Sequence, residues 1–270
     1  MRLSYGTQIG YSPIRLSMGS IIKPKLKDID SDDMSFEQLY FYEFLAVMTP
    51  EDYFTKMKGD EGKEQWEMIN EDDRSKIKIF DVINADQTLQ QSFLGLFNFF
   101  FKETVLYSDG YFVTLQPNKH YNIPSDIKKN DIVGVITNDN FSEVLDIIRQ
   151  ICCIDVDIEK TEQPKFKNRA AERIFKKIEK AESKKKKKAN KNLTLPNIIS
   201  SITVKHNSIN FTNIWDYTIF QLLDNFYRLQ TEDIHQIDCT RVSVWGDEKN
   251  TFDPARWYKN EYDKDEPDEQ

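Results

Sequence analysis

The side chains that most often catalyse reactions or bind metals are few in this sequence. It has three histidines and three cysteines: His120, His206, His235, Cys152, Cys153 and Cys239. The histidines are far apart and form no ligand-spaced pair such as HxxxH. The cysteines have no CxxC spacing, and an adjacent pair cannot readily close a disulfide on itself. We therefore predict reduced cysteines and no metal site.

An acidic stretch, DIDSDD at residues 28–33, offers the oxygen ligands that calcium prefers. Asp28, Asp30 and Asp32 occupy the first ligand positions of a calcium-binding loop. The match then fails, because Asp33 stands where the loop needs a glycine and Leu39 stands where it needs a bidentate carboxylate. The stretch is predicted to be a solvated acidic loop before a helix.

Sequence motifs that carry enzymatic mechanisms are missing as well. There is no GKS or GKT phosphate loop, no GxGxxG dinucleotide fingerprint and no GxSxG nucleophile elbow. We therefore predict that the chain is not an enzyme and uses no cofactor.

A band of positive charge crosses a chain whose formal net charge is -8. Residues 165–191 hold 13 Lys or Arg and 3 Glu, which leaves 24 basic and 42 acidic residues elsewhere. Near its end lies a run of five lysines: Lys184, Lys185, Lys186, Lys187 and Lys188. Such a run can neutralise phosphates, with an affinity that falls steeply as salt rises.

The surroundings of the lysine run favour a linker over a nucleic-acid site. The run has no aromatic side chain on which a base could stack, and the acidic remainder of the chain repels a polyanion. We predict a solvated basic linker that binds no nucleic acid appreciably at about 150 mM salt. Nucleic-acid contact through the lysines is the alternative, and a third interpretation is an A-rich message on which ribosomes can slip.

Helical and β-rich patterns alternate over residues 1–160, which predicts a mixed α+β domain. Ser35 and TPED at 49–52 supply the caps, proline and acids of helix starts. The segment at 87–101, QTLQQSFLGLFNFFF, is apolar on more than one face and is predicted to be the centre of the core. Short β-rich runs flank SDG at 108–110 as a hairpin, and DIVGVIT at 131–137 predicts another strand.

Less regular segments surround these elements. YSPIRLSMGSIIKPKLKDI, residues 11–29, mixes β-branched residues with proline and glycine and predicts an extended arm or an irregular hairpin. Residues 55–80 are charged and weakly periodic, and they predict a loop or short helices. NDN at 138–140 offers a cap for a helix over 141–151.

After residue 160 the pattern becomes helical. Residues 161–192 predict a basic helix that frays into the linker. Apolar spacing over 193–258 predicts an all-helical interaction module, in which Thr212 caps one helix and TED at 231–233 caps the next. The acidic end, 259–270, is predicted to be a disordered tail. No apolar run approaches the length of a membrane span and no signal peptide opens the sequence, so we expect the cytoplasm and no membrane contact.

Two segments resemble phage proteins. LTLPNIISSITVKHNSINFTNIWDYTIFQLLDNFYRLQ, residues 193–230, resembles the C-terminal part of tail assembly chaperones and related tail-assembly proteins of phages that infect Gram-positive hosts. The opening segment 11–29 is similar to the start of some phage structural-module proteins. The chain departs from this family in its length and in the long mixed domain that precedes the similar region.

The resemblance implies a non-enzymatic helper that coats or delivers the tape measure protein while the tail tube polymerises. Such proteins bury apolar helix faces against a partner and against one another, so other tail proteins and a second copy are the expected partners. The contact residues that the resemblance implies are Trp215, Tyr217, Phe220, Leu223, Phe226 and Tyr227. A structural component of the tail or baseplate, located in the virion, is the alternative to a chaperone in the host cytoplasm.

Overall fold

A computed structural model describes residues 1–117, 128–154, 193–247 and 251–258. The chain divides into two compact units, Met1–Ile154 and Asp155–Gln270. The first unit is mixed α and β and contains the hairpin, and the part of the second that is described is helical, which confirms the predicted α+β class. The predicted basic linker, the lysine run and the acidic tail lie outside the described residues.

Nine α-helices lie in the described part of the first unit, and most are short. They are α1 Tyr5–Ile9, α2 Leu26–Ile29, α3 Phe36–Val47, α4 Pro50–Asp52, α5 Gly59–Met68, α6 Glu71–Arg74, α7 Ile79–Ala85, α8 Gln87–Phe100 and α9 Phe141–Ile151. A π-helical turn, Tyr53–Met57, joins α4 to α5, and a 3-10 turn, Lys129–Asp131, precedes the last strand. The charged region 55–80 is therefore built of short helices, one of the two predicted possibilities.

The described part of the first unit also contains two antiparallel sheets. The strands are β1 Ile14–Leu16, β2 Gly19–Ile21, β3 Thr104–Ser108, β4 Tyr111–Leu115 and β5 Ile132–Ile136. β1 pairs with β2, and the second sheet has the order β3-β4-β5. The predicted hairpin is present, and its two turn residues, Asp109 and Gly110, have positive φ angles of 51° and 84°. Positive φ at both positions matches the right-handed twist of the strands, which is why an Asp-Gly pair suits this turn.

Helix α8 forms the centre of the first core, as its sequence predicts. The side chains of Phe93, Phe97 and Phe100 are fully buried. The ring of Phe97 meets that of Phe112 from β4 edge to face, with the centroids 4.9 Å apart. The ring of Phe141, the first residue of α9, lies 5.5 Å from that of Phe93. Aromatic contacts from one helix thus join the sheet to α9.

The N-terminal segment forms an irregular hairpin, one of its two predicted alternatives, and packs into the first unit. Its backbone pairs with the end of α8, because Ile22 N donates to the carbonyl of Phe100 at 2.8 Å. The Thr114 hydroxyl of β4 donates to the carbonyl of Met18 at 2.6 Å. Gly134 of β5 lies so close to Met18 that a Cβ atom there would be 2.4 Å from the Met18 Cα. Only glycine therefore lets β5 and the hairpin approach this closely.

In the first unit, two of the predicted helix caps are confirmed and one is wrong. The Ser35 hydroxyl accepts from Gln38 N at 3.2 Å. Thr49 and Asp52 form a reciprocal capping box, with 3.1 Å between each side-chain oxygen and the other residue's backbone nitrogen. The Asn140 amide instead bonds back toward β5, accepting from Thr137 N at 2.7 Å and donating to the Val135 carbonyl. The side chain therefore closes the turn between β5 and α9 and does not cap α9.

The described part of the second unit has fewer and longer elements than its sequence predicts. They are α10 Leu195–Lys205, a 3-10 turn Ile214–Asp216, α11 Ile219–Trp245 and a 3-10 turn Arg256–Tyr258. Thr231, which was predicted to cap a new helix, lies in the middle of the 27-residue α11. Its hydroxyl donates to the carbonyl of Tyr227 at 3.0 Å, four residues back. The hydroxyl thus has a hydrogen-bond partner within a helix that continues past it.

Candidate partner-binding surface

The long helix α11 is fixed at its N-terminus by buried polar contacts. Thr218 and Gln221 form a capping box in which the Thr218 hydroxyl accepts from Gln221 N at 3.2 Å. The Gln221 side-chain oxygen in return accepts from Thr218 N at 3.1 Å. Both residues are buried, together with Ile219, Phe220 and Leu222 of the first turns. The start of α11 is therefore part of the core and is held rigidly.

Helix α10 packs against α11. Its inward residues, Ile198, Ile199 and Ile202, are buried. At its C-terminal end the Lys205 ammonium pairs with the Asp233 carboxylate of α11. This contact ties α10 to the middle of α11.

The segment after α11 turns back along another side of the helix. Gly246 ends α11 with a φ of 75°, a conformation that favours glycine. Asp247 then accepts from Thr251 N at 3.0 Å and from Phe252 N at 2.7 Å, and these bonds lower the pKa of its carboxyl. The Phe252 ring stacks on His235, with the centroids 5.6 Å apart. A weak ion pair of 3.6 Å from Arg256 to Asp238 adds to this contact.

One side of α11 remains exposed although it carries apolar residues. Exposed fractions are 47% for Tyr227, 44% for Ile234, 67% for Ile237, 65% for Val244 and 80% for Trp245. With about 100° of rotation per residue, these five residues fall within an arc of roughly 100° on the helix. We call them the apolar face of α11. Contiguous exposed apolar residues mark interaction sites, whereas single ones are ordinary.

The six residues predicted to contact a partner divide between core and surface. Phe220 is 2% exposed, so its ring belongs to the core and does not present a contact surface. Trp215, Tyr217, Leu223 and Phe226 are half-buried. The Trp215 indole donates to the Phe211 carbonyl at 2.8 Å, and Phe226 and Tyr227 rings meet at 5.7 Å. Of this predicted set, only Tyr227 is a member of the apolar face.

Sequence reasoning missed most of the apolar face. Ile234, Ile237, Val244 and Trp245 lie in the segment for which the sequence predicts a separate helix, capped at residues 231–233. The signal that could have found them is the heptad-type spacing of Tyr227, Ile234, Ile237 and Val244, with steps of seven, three and seven residues, which continues past Thr231.

Chemically reactive groups of the described residues do not converge on one centre. The imidazole Nε2 of His235 lies 3.4 Å from the Cys239 sulfur, one helical turn away on α11. Within the described ranges, no three His, Cys, Asp or Glu side chains are placed to hold a metal ion together. His206 stabilises the turn after α10, because its Nδ1 accepts from the backbone nitrogens of Ser208 and Ile209. His120 lies outside the described residues.

One half-buried acid in the first unit has an unusual environment. Burial raises the pKa of Glu43, on α3, to about 7. Burial also raises the pKa of the Cys152 thiol next to α9, and the nearby Glu43 charge adds to this effect. Helices α3 and α9 pack against each other, so both groups belong to one helix interface.

Comparison with protein families gives a match over the helical end of the chain. Residues 184–262 match the family described as the YomV second domain, which is phage-associated. The matched region begins at the lysine run and includes α10, α11 and the segment that returns along α11. No curated protein and no solved structure matches the chain. Among the residues that the structure covers, no helix has both the length and the apolar character needed to cross a membrane. The C-terminal region is therefore similar to a phage-associated domain, which agrees with a phage-related protein.

Proposed function

We propose that this chain is a phage tail assembly chaperone or morphogenesis factor that binds tape measure or tube proteins without catalysing a reaction. The observation that carries the proposal is the apolar face of α11, which lies inside the region similar to a phage-associated domain. In this proposal the face receives an apolar helix of a tail protein in the host cytoplasm. No cofactor is required.

The physical support is the combination of a rigid helix and an exposed apolar surface. Because the first turns of α11 are held in the core, the C-terminal half presents its side chains without a large loss of conformational entropy on binding. The aromatic members, Tyr227 and Trp245, are of the type that most often dominates binding energy at protein interfaces. Charged residues flank the face, with Asp233 and Asp238 on its sides and Arg241 within its arc. Protein interfaces typically combine exposed apolar residues with polar and charged ones.

The proposal is tested by copurification with the phage's own tail proteins. The tagged chain, coexpressed with the tape measure and tube proteins, should retain one of them, and Ile237→Asp should abolish the retention. Gln236→Glu, a substitution at the neighbouring exposed position outside the apolar face, is the matched control and should retain the tail protein. Failure of the unmodified chain to retain either tail protein would contradict the proposal.

Mass spectrometry of purified virions separates a chaperone from a structural component of the tail or baseplate. A chaperone leaves the tail when assembly is complete, so we expect its peptides to be absent from virions. Stoichiometric amounts in the virion would overturn the chaperone function in favour of a structural one.

A further inference from the structure

We infer that the apolar face of α11 pairs with the same face of a second copy of this chain, with the two helices antiparallel. The inference rests on the proposed function only in taking this face as a protein-binding surface. It adds the identity of one occupant, a copy of the chain itself, and the direction in which the two helices run.

The spacing along α11 is that of a coiled-coil seam. Taking Tyr227 as position a of a heptad, the a positions are 227, 234 and 241 and the d positions are 230, 237 and 244. Tyr, Ile, Ile and Val occupy four of these six positions, and the two polar exceptions are Gln230 and Arg241. The seam runs from residue 227 to residue 244, about five turns of α11, and its four apolar members are all exposed.

The two polar residues determine the direction of pairing. In an antiparallel pair centred between residues 234 and 237, a positions of one copy meet d positions of the other. Ile234 then faces Ile237, and Gln230 faces Arg241, once on each side of the two-fold axis. Tyr227 faces Val244 in the outer layers. Every layer is thus either apolar against apolar or an amide against a guanidinium.

A parallel pair would place like charges opposite each other. Identical positions face each other in a parallel seam, so the two Arg241 guanidinium groups would meet at its core. Like charges at close range disfavour that arrangement. In the antiparallel pair the Arg241 side chain, which bonds Asp238 of its own chain at 3.3 Å, keeps donors for the Gln230 carbonyl oxygen of the other copy. The sequence of the seam therefore complements itself only when one copy is reversed.

The expected affinity is modest. A seam of this length falls in the smallest class of specific interfaces, below about 1,200 Å² in total. We expect a dissociation constant of roughly 1 to 100 µM, so that copies exchange and a client helix of similar pattern can take the place of the second copy.

The experiment is sedimentation equilibrium of the full chain at about 5 to 200 µM. The unmodified chain should show a monomer–dimer equilibrium, and Ile237→Asp should weaken the dimer at least tenfold because it buries a charge at the central layer. Ile237 is exposed in the single chain, so this change leaves the fold intact, which circular dichroism checks. Gln236→Glu is the matched control and should leave the equilibrium unchanged.

The direction of pairing is tested by whether a charge substitution strengthens or weakens the dimer. Gln230→Glu should tighten an antiparallel dimer roughly three- to tenfold, because each new carboxylate meets Arg241 of the other copy. In a parallel dimer the same substitution sets glutamate against glutamate and weakens the association, which would overturn the antiparallel arrangement. A chain that stays monomeric at 200 µM, or a dimer that Ile237→Asp does not affect, would overturn the inference as a whole.

Failure of this inference and failure of the proposed function have different signatures. A monomer that still retains a tail protein through Ile237 excludes the second copy and keeps the function. A dimer broken by Ile237→Asp that retains no tail protein keeps the pairing and excludes the function.

Discussion

Replacing Glu43 by glutamine should stabilise the first unit above neutral pH and leave it nearly unchanged in mild acid. Burial raises the pKa of this carboxyl to about 7 in the folded state, compared with an ordinary value of 4.5. A raised pKa means that the folded state binds the proton more tightly than the unfolded state. The resulting stability is fully present below pH 4.5 and is lost as the pH rises through 7.

The size of the effect follows from the difference between the two pKa values. At about 1.36 kcal/mol per pH unit, the charged Glu43 side chain destabilises the first unit by roughly 3 kcal/mol at pH 8 and by much less at pH 5. Glutamine has nearly the same shape and no charge to desolvate. For a unit of this size, the gain at pH 8 corresponds to an unfolding temperature higher by about 6 to 12 °C.

Differential scanning calorimetry at pH 5 and pH 8 measures the unfolding temperatures of the unmodified chain and of Glu43→Gln. The matched control is Glu37→Gln, which removes an exposed carboxylate from the same helix and should shift the transition little at either pH. Equal unfolding temperatures for Glu43→Gln and the unmodified chain at pH 8 would refute the reasoning. So would a stabilisation equally large at pH 5, because that would not depend on the ionisation of Glu43.

Two further predictions concern the first unit. Gly134→Ala should lower the free energy of unfolding by about 2 to 3 kcal/mol in urea titrations, because the new methyl group collides with the Met18 backbone; Gly6→Ala, which meets open space, is its control. Asp86→Ala should lower it by about 1 to 2 kcal/mol at pH 7, because the carboxylate caps α8 and pairs with Lys58 at 2.6 Å. These contacts hold the pKa of Asp86 below its ordinary value of 3.8, so the difference should begin to shrink as the pH falls below about 4 and should vanish only below the folded-state pKa. A difference as large at pH 2 as at pH 7 would contradict this account.

The sequence predicted those elements that are specified by their own residues. Helix α8 carries enough apolar residues to be buried wherever it packs, and the Asp109-Gly110 turn needs positive φ angles that few other pairs accept. The capping box at Thr49 is likewise closed by residues three positions apart. Each of these signals is local, so a single sequence contains it.

The predictions that failed rested on residues whose side chains can form either of two local structures. Thr231 can cap a new helix or bond back within a continuing one, and burial of the first turns of α11 favours continuation. Asn140 can cap α9 or close the turn from β5, and the position of the strand decides. Phe220, predicted as a partner contact, is buried for a related reason. Apolar spacing alone cannot distinguish the face of α11 that α10 covers from the face that stays exposed.

The docking of the N-terminal hairpin has a consequence for synthesis. Lys102 N donates to the Ser20 carbonyl at 2.9 Å, and Thr114 bonds Met18, so the hairpin binds residues that a ribosome makes some 80 to 100 positions later. At about 5 to 20 residues per second, a nascent hairpin waits roughly 4 to 20 s for these strands. During that interval its apolar side chains, Met18 and Ile21, have no native cover. We therefore expect the first unit to fold late and slowly, whereas α10 and α11, which contact each other across a short connection, can assemble soon after they emerge.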